Sequence, residues 1–71
     1  MESIETIIIQ KNKIVIDGKL FNRMVKEIKY QPLHDIDLIT FTCYVKGENG
    51  KIVIKDDVAV VENVNFKIPR T

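Results

Sequence analysis

The chain has 71 residues, 45% of them hydrophobic and 30% charged, with a formal net charge of +1. That composition is too apolar for a disordered chain. Eleven basic side chains against ten acidic ones leave no excess for tight binding by phosphate neutralisation. A chain of this length has room for one domain, residues 1–71, and buries only about 60% of the surface it exposes when unfolded. Small domains commonly add a disulfide, a metal or a partner subunit. The single cysteine, Cys43, excludes an intrachain disulfide, so self-association or docking on another protein is the expected supplement.

The first residues, Met1-Glu2-Ser3-Ile4-Glu5, are acidic, and only Ile7-Ile8-Ile9 follows as an apolar run, so no conventional signal peptide is expected. The longest apolar run, Val58–Val61, falls far short of the roughly 20 residues a membrane span needs. A cytoplasmic protein with a reduced thiol and no membrane partner is the expectation.

In chain order, Ile4–Ile9 is rich in β-branched residues and Gln10-Lys11-Asn12 reads as a turn. Ile14-Val15-Ile16 then returns as the second strand of a hairpin covering residues 4–17. Asp17-Gly18 follows, between Lys13–Ile16 and Lys19-Leu20-Phe21. Asp-Gly supplies the positive φ angles that tight hairpins need, so a further hairpin is expected there.

Residues 19–30 admit two readings. Leu20, Phe21, Met24, Val25 and Ile28 fall within an arc of about 140° on a helix. Against that, Lys19 would stand in the first helical turn, where the dipole disfavours a cation. A strand also usually follows a hairpin turn such as Asp17-Gly18. Periodicity favours helix and flanking chemistry favours strand.

Pro32 holds Gln31 extended, and Gln31–Asp37 reads as a loop. Leu38–Lys46 is the clearest strand, with Ile39, Phe41, Cys43 and Val45 on one face and Thr40, Thr42, Tyr44 and Lys46 on the other. Lys51–Lys55 is expected to pair with it across Gly47-Glu48-Asn49-Gly50. After a turn at Asp56-Asp57, Val58, Val60, Val64, Phe66 and Ile68 share one parity, interrupted only by Glu62. That is a long strand, bent near Glu62-Asn63 and ended by Pro69.

Little of this carries site chemistry. Cys43 lies on the face expected to be buried, where a thiol is inert, and His34 sits in a polar loop. His34-Asp35-x-Asp37 and Asp56-Asp57 lack the ligand spacing and glycine of a calcium loop, and one histidine with one cysteine cannot build a zinc site. The three glycines, Gly18, Gly47 and Gly50, all sit in turns, so there is no phosphate loop. The expectation is therefore a chain that is not an enzyme, without catalytic residues, cofactor, metal or small-molecule substrate. The alternative is a small β-barrel binding single-stranded nucleic acid through aromatic and basic side chains. Its candidate face is Tyr30, Tyr44, Lys46, Lys26 and Lys29, with Phe21, Lys19 and Arg23 nearby.

Ile14-Val-Ile-Asp-Gly18, Val25-Lys-Glu-Ile-Lys-Tyr30 and Leu38-Ile-Thr-Phe-Thr-Cys-Tyr-Val45 together resemble small all-β proteins encoded by phages and prophages. The resemblance covers about half the chain and is one of residue types. It implies a virion-associated or accessory viral protein, located in the host cytoplasm or the virion, and it tips residues 22–30 toward strand.

The expected fold is an all-β, antiparallel barrel or sandwich of five or six strands. The alternative is α+β, with a helix at 19–29 on a four- or five-stranded sheet. The expected function is a non-enzymatic protein–protein interaction module that acts as an assembly component or binds a host protein. Its partner would be another protein or a second copy.

Overall fold

A computed structural model of the chain describes residues 2–70. It is all-β, and no helix occurs among the described residues. The strands are β1 (Glu2–Ser3), β2 (Ile7–Gln10), β3 (Lys13–Ile16), β4 (Lys19–Leu20), β5 (Val25–Pro32), β6 (Ile36–Tyr44), β7 (Ile54–Lys55), β8 (Val58–Ala59) and β9 (Val61–Pro69). They form a four-stranded sheet in the order β1-β9-β6-β5, a three-stranded sheet β2-β3-β4, and the two-stranded β7-β8. All neighbours run antiparallel except β1 beside β9. No sheet closes into a barrel among the described residues. Nine strands replace the expected five or six, because four of them are only two residues long.

Three hairpins follow from turn chemistry. At the β3–β4 turn Asp17 has φ 49° and Gly18 φ 79°, the two successive positive values of a two-residue turn. Asp56 (φ 52°) and Asp57 (φ 64°) do the same between β7 and β8, aspartate being one of the few non-glycine residues that tolerate this region. The Asn49-Gly50 turn is built differently. Only Gly50 has positive φ (76°), and its N–H donates to the Gly47 carbonyl at 3.0 Å. Asn49 serves through its side chain, whose Oδ1 accepts from the Lys51 N–H at 3.0 Å.

The core comprises Ile4, Ile16, Ile39, Phe41, Cys43 and Phe66, with Ile7, Ile14, Phe21, Val25, Val64 and Ile68 packed against it. Strands β6 and β9 thus present alternate residues from the larger sheet, and β3 presents Ile14 and Ile16 from the smaller one. Three phenylalanines lock the centre. Phe21 and Phe41 lie 5.1 Å apart between ring centroids, and Phe66 stands edge-on to both, at 5.9 and 5.8 Å. These offset and T-shaped geometries are the ones that ring quadrupoles favour.

On the opposite face of the larger sheet the side chains are polar and paired. Thr40 donates to Asn65 Oδ1 at 2.7 Å, and Thr42 donates to Asn63 Oδ1 at 3.0 Å. These residues stand directly opposite in the β6–β9 register. At the two ends of the sheet, on the core side by register, Arg23 is ion-paired with Glu62, opposite Cys43, and Arg70 with Asp37, opposite Ile68.

Several expectations need correction. Residues 19–29 are not helical: Phe21 and Val25 reach the core, but Leu20 and Met24 project to solvent, so the helical stripe is not one buried face. Ile4–Ile9 is not one strand. Ile4 donates to the Lys67 carbonyl at 2.9 Å and belongs beside β9, while β2 starts at Ile7 in the other sheet. The loop expected at Gln31–Asp37 shrinks to Leu33-His34-Asp35, since Gln31 and Pro32 pair with Leu38 and Asp37. Lys51–Lys55 does not pair along Thr40–Tyr44, because β5 and β9 already occupy both edges of β6. It touches only a Lys46–Ile52 bridge and a Val53-to-Val45 hydrogen bond before turning into β7. The long strand from Val58 is interrupted at Val60, not at Glu62-Asn63, and Val58 faces solvent.

Candidate protein-interaction surface

Strand β5 forms one edge of the four-stranded sheet and has a neighbour on one side only. Hydrogen-bond parity shows which of its backbone groups are free. The Leu33 N–H donates to the Ile36 carbonyl at 2.8 Å, so Leu33 and Ile36 are a hydrogen-bonded pair. Bonded and non-bonded pairs alternate along an antiparallel ladder. Gln31, Lys29 and Glu27 therefore bond to β6, opposite Leu38, Thr40 and Thr42. Ile28, Tyr30 and Pro32 turn their backbone groups outward. Pro32, with no N–H to offer, stands where a missing donor costs nothing to the ladder.

Beside this edge lies an open groove of about 570 Å³ between β5 and the three-stranded sheet. Ile9, Ile14, Leu20, Phe21, Val25 and Ile28 supply its apolar lining. Lys11, Lys13, Arg23 and Lys26 line it too, and Glu27, which stands opposite Thr42 on the polar face, borders its rim. Arg23 is already neutralised by Glu62. Three of the groove's apolar lining residues, Ile9, Leu20 and Ile28, are exposed to solvent. Contact between Val25 and Glu27 is irregular in register, a bulge that ends the flat stretch of β5.

The residues considered for nucleic-acid binding do not converge. Tyr30 pairs with Ile39 on the core side of the sheet, beyond the reach of the smaller sheet, and is exposed. Tyr44 lies on the opposite face, five residues further along β6, a separation of about 17 Å at about 3.3 Å per residue. Lys29 shares the polar face, opposite Thr40, whereas Lys26 lines the groove. Only Tyr44 and Lys46 are brought together, in a shallow depression that also holds Arg23 and Glu62.

Cys43 is wholly buried, and burial pushes its thiol pKa up; the neighbouring Arg23 lowers it and Glu62 raises it, each more weakly. His34 and Asp35 are fully in solvent, 3.6 Å apart. No cluster of three or more His, Cys, Asp or Glu side chains with metal-binding geometry occurs among the described residues. Arg70 is pushed up in pKa by its hydrogen bond to Asp37, with Tyr30 contributing less.

The sequence alone suggests an interaction module but singles out none of the residues of this edge. The signal was present in Lys26-Glu27-Ile28-Lys29, where lysines flank an apolar residue a few positions before a proline, a pattern of edge strands. No protein-family model matches the chain, and neither a curated protein nor a solved structure shows significant similarity to it.

Proposed function

We propose that this chain is a non-enzymatic protein–protein interaction module of phage or prophage origin, acting in assembly or on a host protein, in the virion or the host cytoplasm. The observation that carries the reading is the free edge of β5, with Ile28 and Tyr30 turning unused backbone groups outward beside an apolar groove. An extended segment adding to such an edge gains main-chain hydrogen bonds, and pockets alongside select its side chains. The resemblance carried by Ile14–Gly18, Val25–Tyr30 and Leu38–Val45 supports the phage attribution. We read the packing of the two larger sheets over one core as a small two-layer sandwich, which leaves its outer edges for partners.

The test compares the chain with an Ile28→Pro variant in pull-downs from host lysate and purified virions. Proline at this outward-facing position removes an edge donor and leaves the ladder to β6 unbroken. A protein retained by the wild type and lost from the variant is the expected result. Retention of nothing above background by a chain that is also monomeric, or equal retention of a partner by both, would refute the proposal.

A further inference from the structure

We infer that the partner at this edge is a second copy of the chain, with the two β5 strands antiparallel about a two-fold axis through Ile28. This rests on the reading of β5 as a docking strand and names its occupant.

Two strands can pair across their free edges only where outward-facing residues meet outward-facing residues. Ile28 and Tyr30 are outward-facing, so allowed registers centre on a residue and not between two. Centring on Glu27 or on Lys29 places like charges directly opposite, and doing so is destabilising. Centring on Tyr30 sets Ile28 against Pro32, which has no N–H to donate. Centring on Ile28 sets Glu27 against Lys29 of the second copy, and by symmetry Lys29 against its Glu27. Ile28 meets Ile28 as a hydrogen-bonded pair, and Tyr30 extends toward Lys26.

This register is the one in which the charges on the exposed face attract. Lysine, proline and a bulge on an edge strand normally discourage pairing with any chance neighbour. On β5 they discourage every register but one. Pairing would continue the four-stranded sheet across the two-fold axis into an eight-stranded one and would cover the exposed Ile28.

Charge exchange tests the register. Glu27→Lys and Lys29→Glu each alter an exposed side chain on the polar face, away from the core. Sedimentation equilibrium at concentrations up to about 0.5 mM, the range in which weak dimers are populated, should show the wild type approaching twice its 8.2 kDa mass. Each single variant should dimerise about tenfold more weakly or worse, because symmetry doubles each cross-strand change. An equimolar mixture of the two should recover a heterodimer, since one strand then carries two lysines and the other two glutamates. Urea midpoints near the wild-type value would show that both variants fold. A monomeric wild type, a dimer indifferent to either reversal, or a mixture no better than its components would overturn the inference. A monomer that still captures a protein through an unblocked β5 would overturn self-pairing and leave the docking strand standing, whereas a monomer capturing nothing would remove both.

Discussion

Asp17 and Thr6 are joined twice. The Asp17 N–H donates to the Thr6 carbonyl at 3.0 Å, and its Oδ1 accepts from the Thr6 N–H at 2.8 Å, as it does from the Glu5 N–H at 2.8 Å. The residue that makes the β3–β4 turn therefore also holds the segment that passes from β1 into β2. One carboxylate fastens the crossing between the two larger sheets.

Asp17→Ala should lose about 1–2 kcal/mol, the scale of a carboxylate that satisfies two otherwise free amides, plus the strain of alanine at positive φ. Asp17→Asn keeps an oxygen acceptor and tolerates φ 49°, so it should lose less than half as much. Urea denaturation of the three proteins provides the comparison. Equal midpoints for wild type and alanine variant would show that the clamp contributes nothing.

Phe41 is completely buried and touches both other phenylalanines of the core. Phe41→Ala should cost about 3–5 kcal/mol through lost transfer energy and the cavity left behind. A domain of this length has a total stability of only about 4–10 kcal/mol. The variant should accordingly lose about a third or more of its stability, with its urea midpoint lowered in proportion. A cooperative unfolding transition unchanged from wild type would contradict this core.

Cys43 should resist thiol reagents in the folded state and react on unfolding, because it is inaccessible. Its pKa is raised above the ordinary value of 9.0. As pH rises past 9.0 the unfolded chain therefore loses the thiol proton first, and folding binds the greater number of protons. The thiol's contribution is fully present below that pH and declines above it toward the folded pKa, with a slope of at most about 1.4 kcal/mol per pH unit. Cys43→Val removes this slope, so the stability difference between wild type and variant should move against the wild type between pH 8 and 10.5. Parallel pH profiles, or rapid labelling of the native thiol, would contradict the assignment.

Thr42 and Asn63 form a cross-strand hydrogen bond on the open face of the larger sheet. A double-mutant cycle with Thr42→Ala and Asn63→Ala should give a coupling of about 0.5 kcal/mol, in the range of paired positions on a sheet. The same cycle between Thr42 and Asn65, which are not opposite each other, should give a coupling near zero. Equal couplings would mean that the β6–β9 register is wrong.

Alternation made β6 legible: Ile39, Phe41 and Cys43 are buried and Thr40 and Thr42 lie on the other face, as period-two reading expects. The turns at Asp17-Gly18 and Asp56-Asp57 were legible as well, because few residue pairs accept consecutive positive φ. Leu20 through Ile28 misled because apolar spacing is judged as though all such residues must be buried. Here Phe21 and Val25 pack against the shared core, and Leu20, Met24 and Ile28 stay exposed.

Local sequence thus determined that strands form, where they turn, and which side of the central strand is dry, since each depends on neighbours within a few residues. It could not determine who pairs with whom. Only tertiary structure decided that β5 and β9, rather than Lys51–Lys55, flank β6, and that β5 is left with an open side. Competition for a strand's two edges is settled by segments distant in the chain, and no local pattern records its outcome.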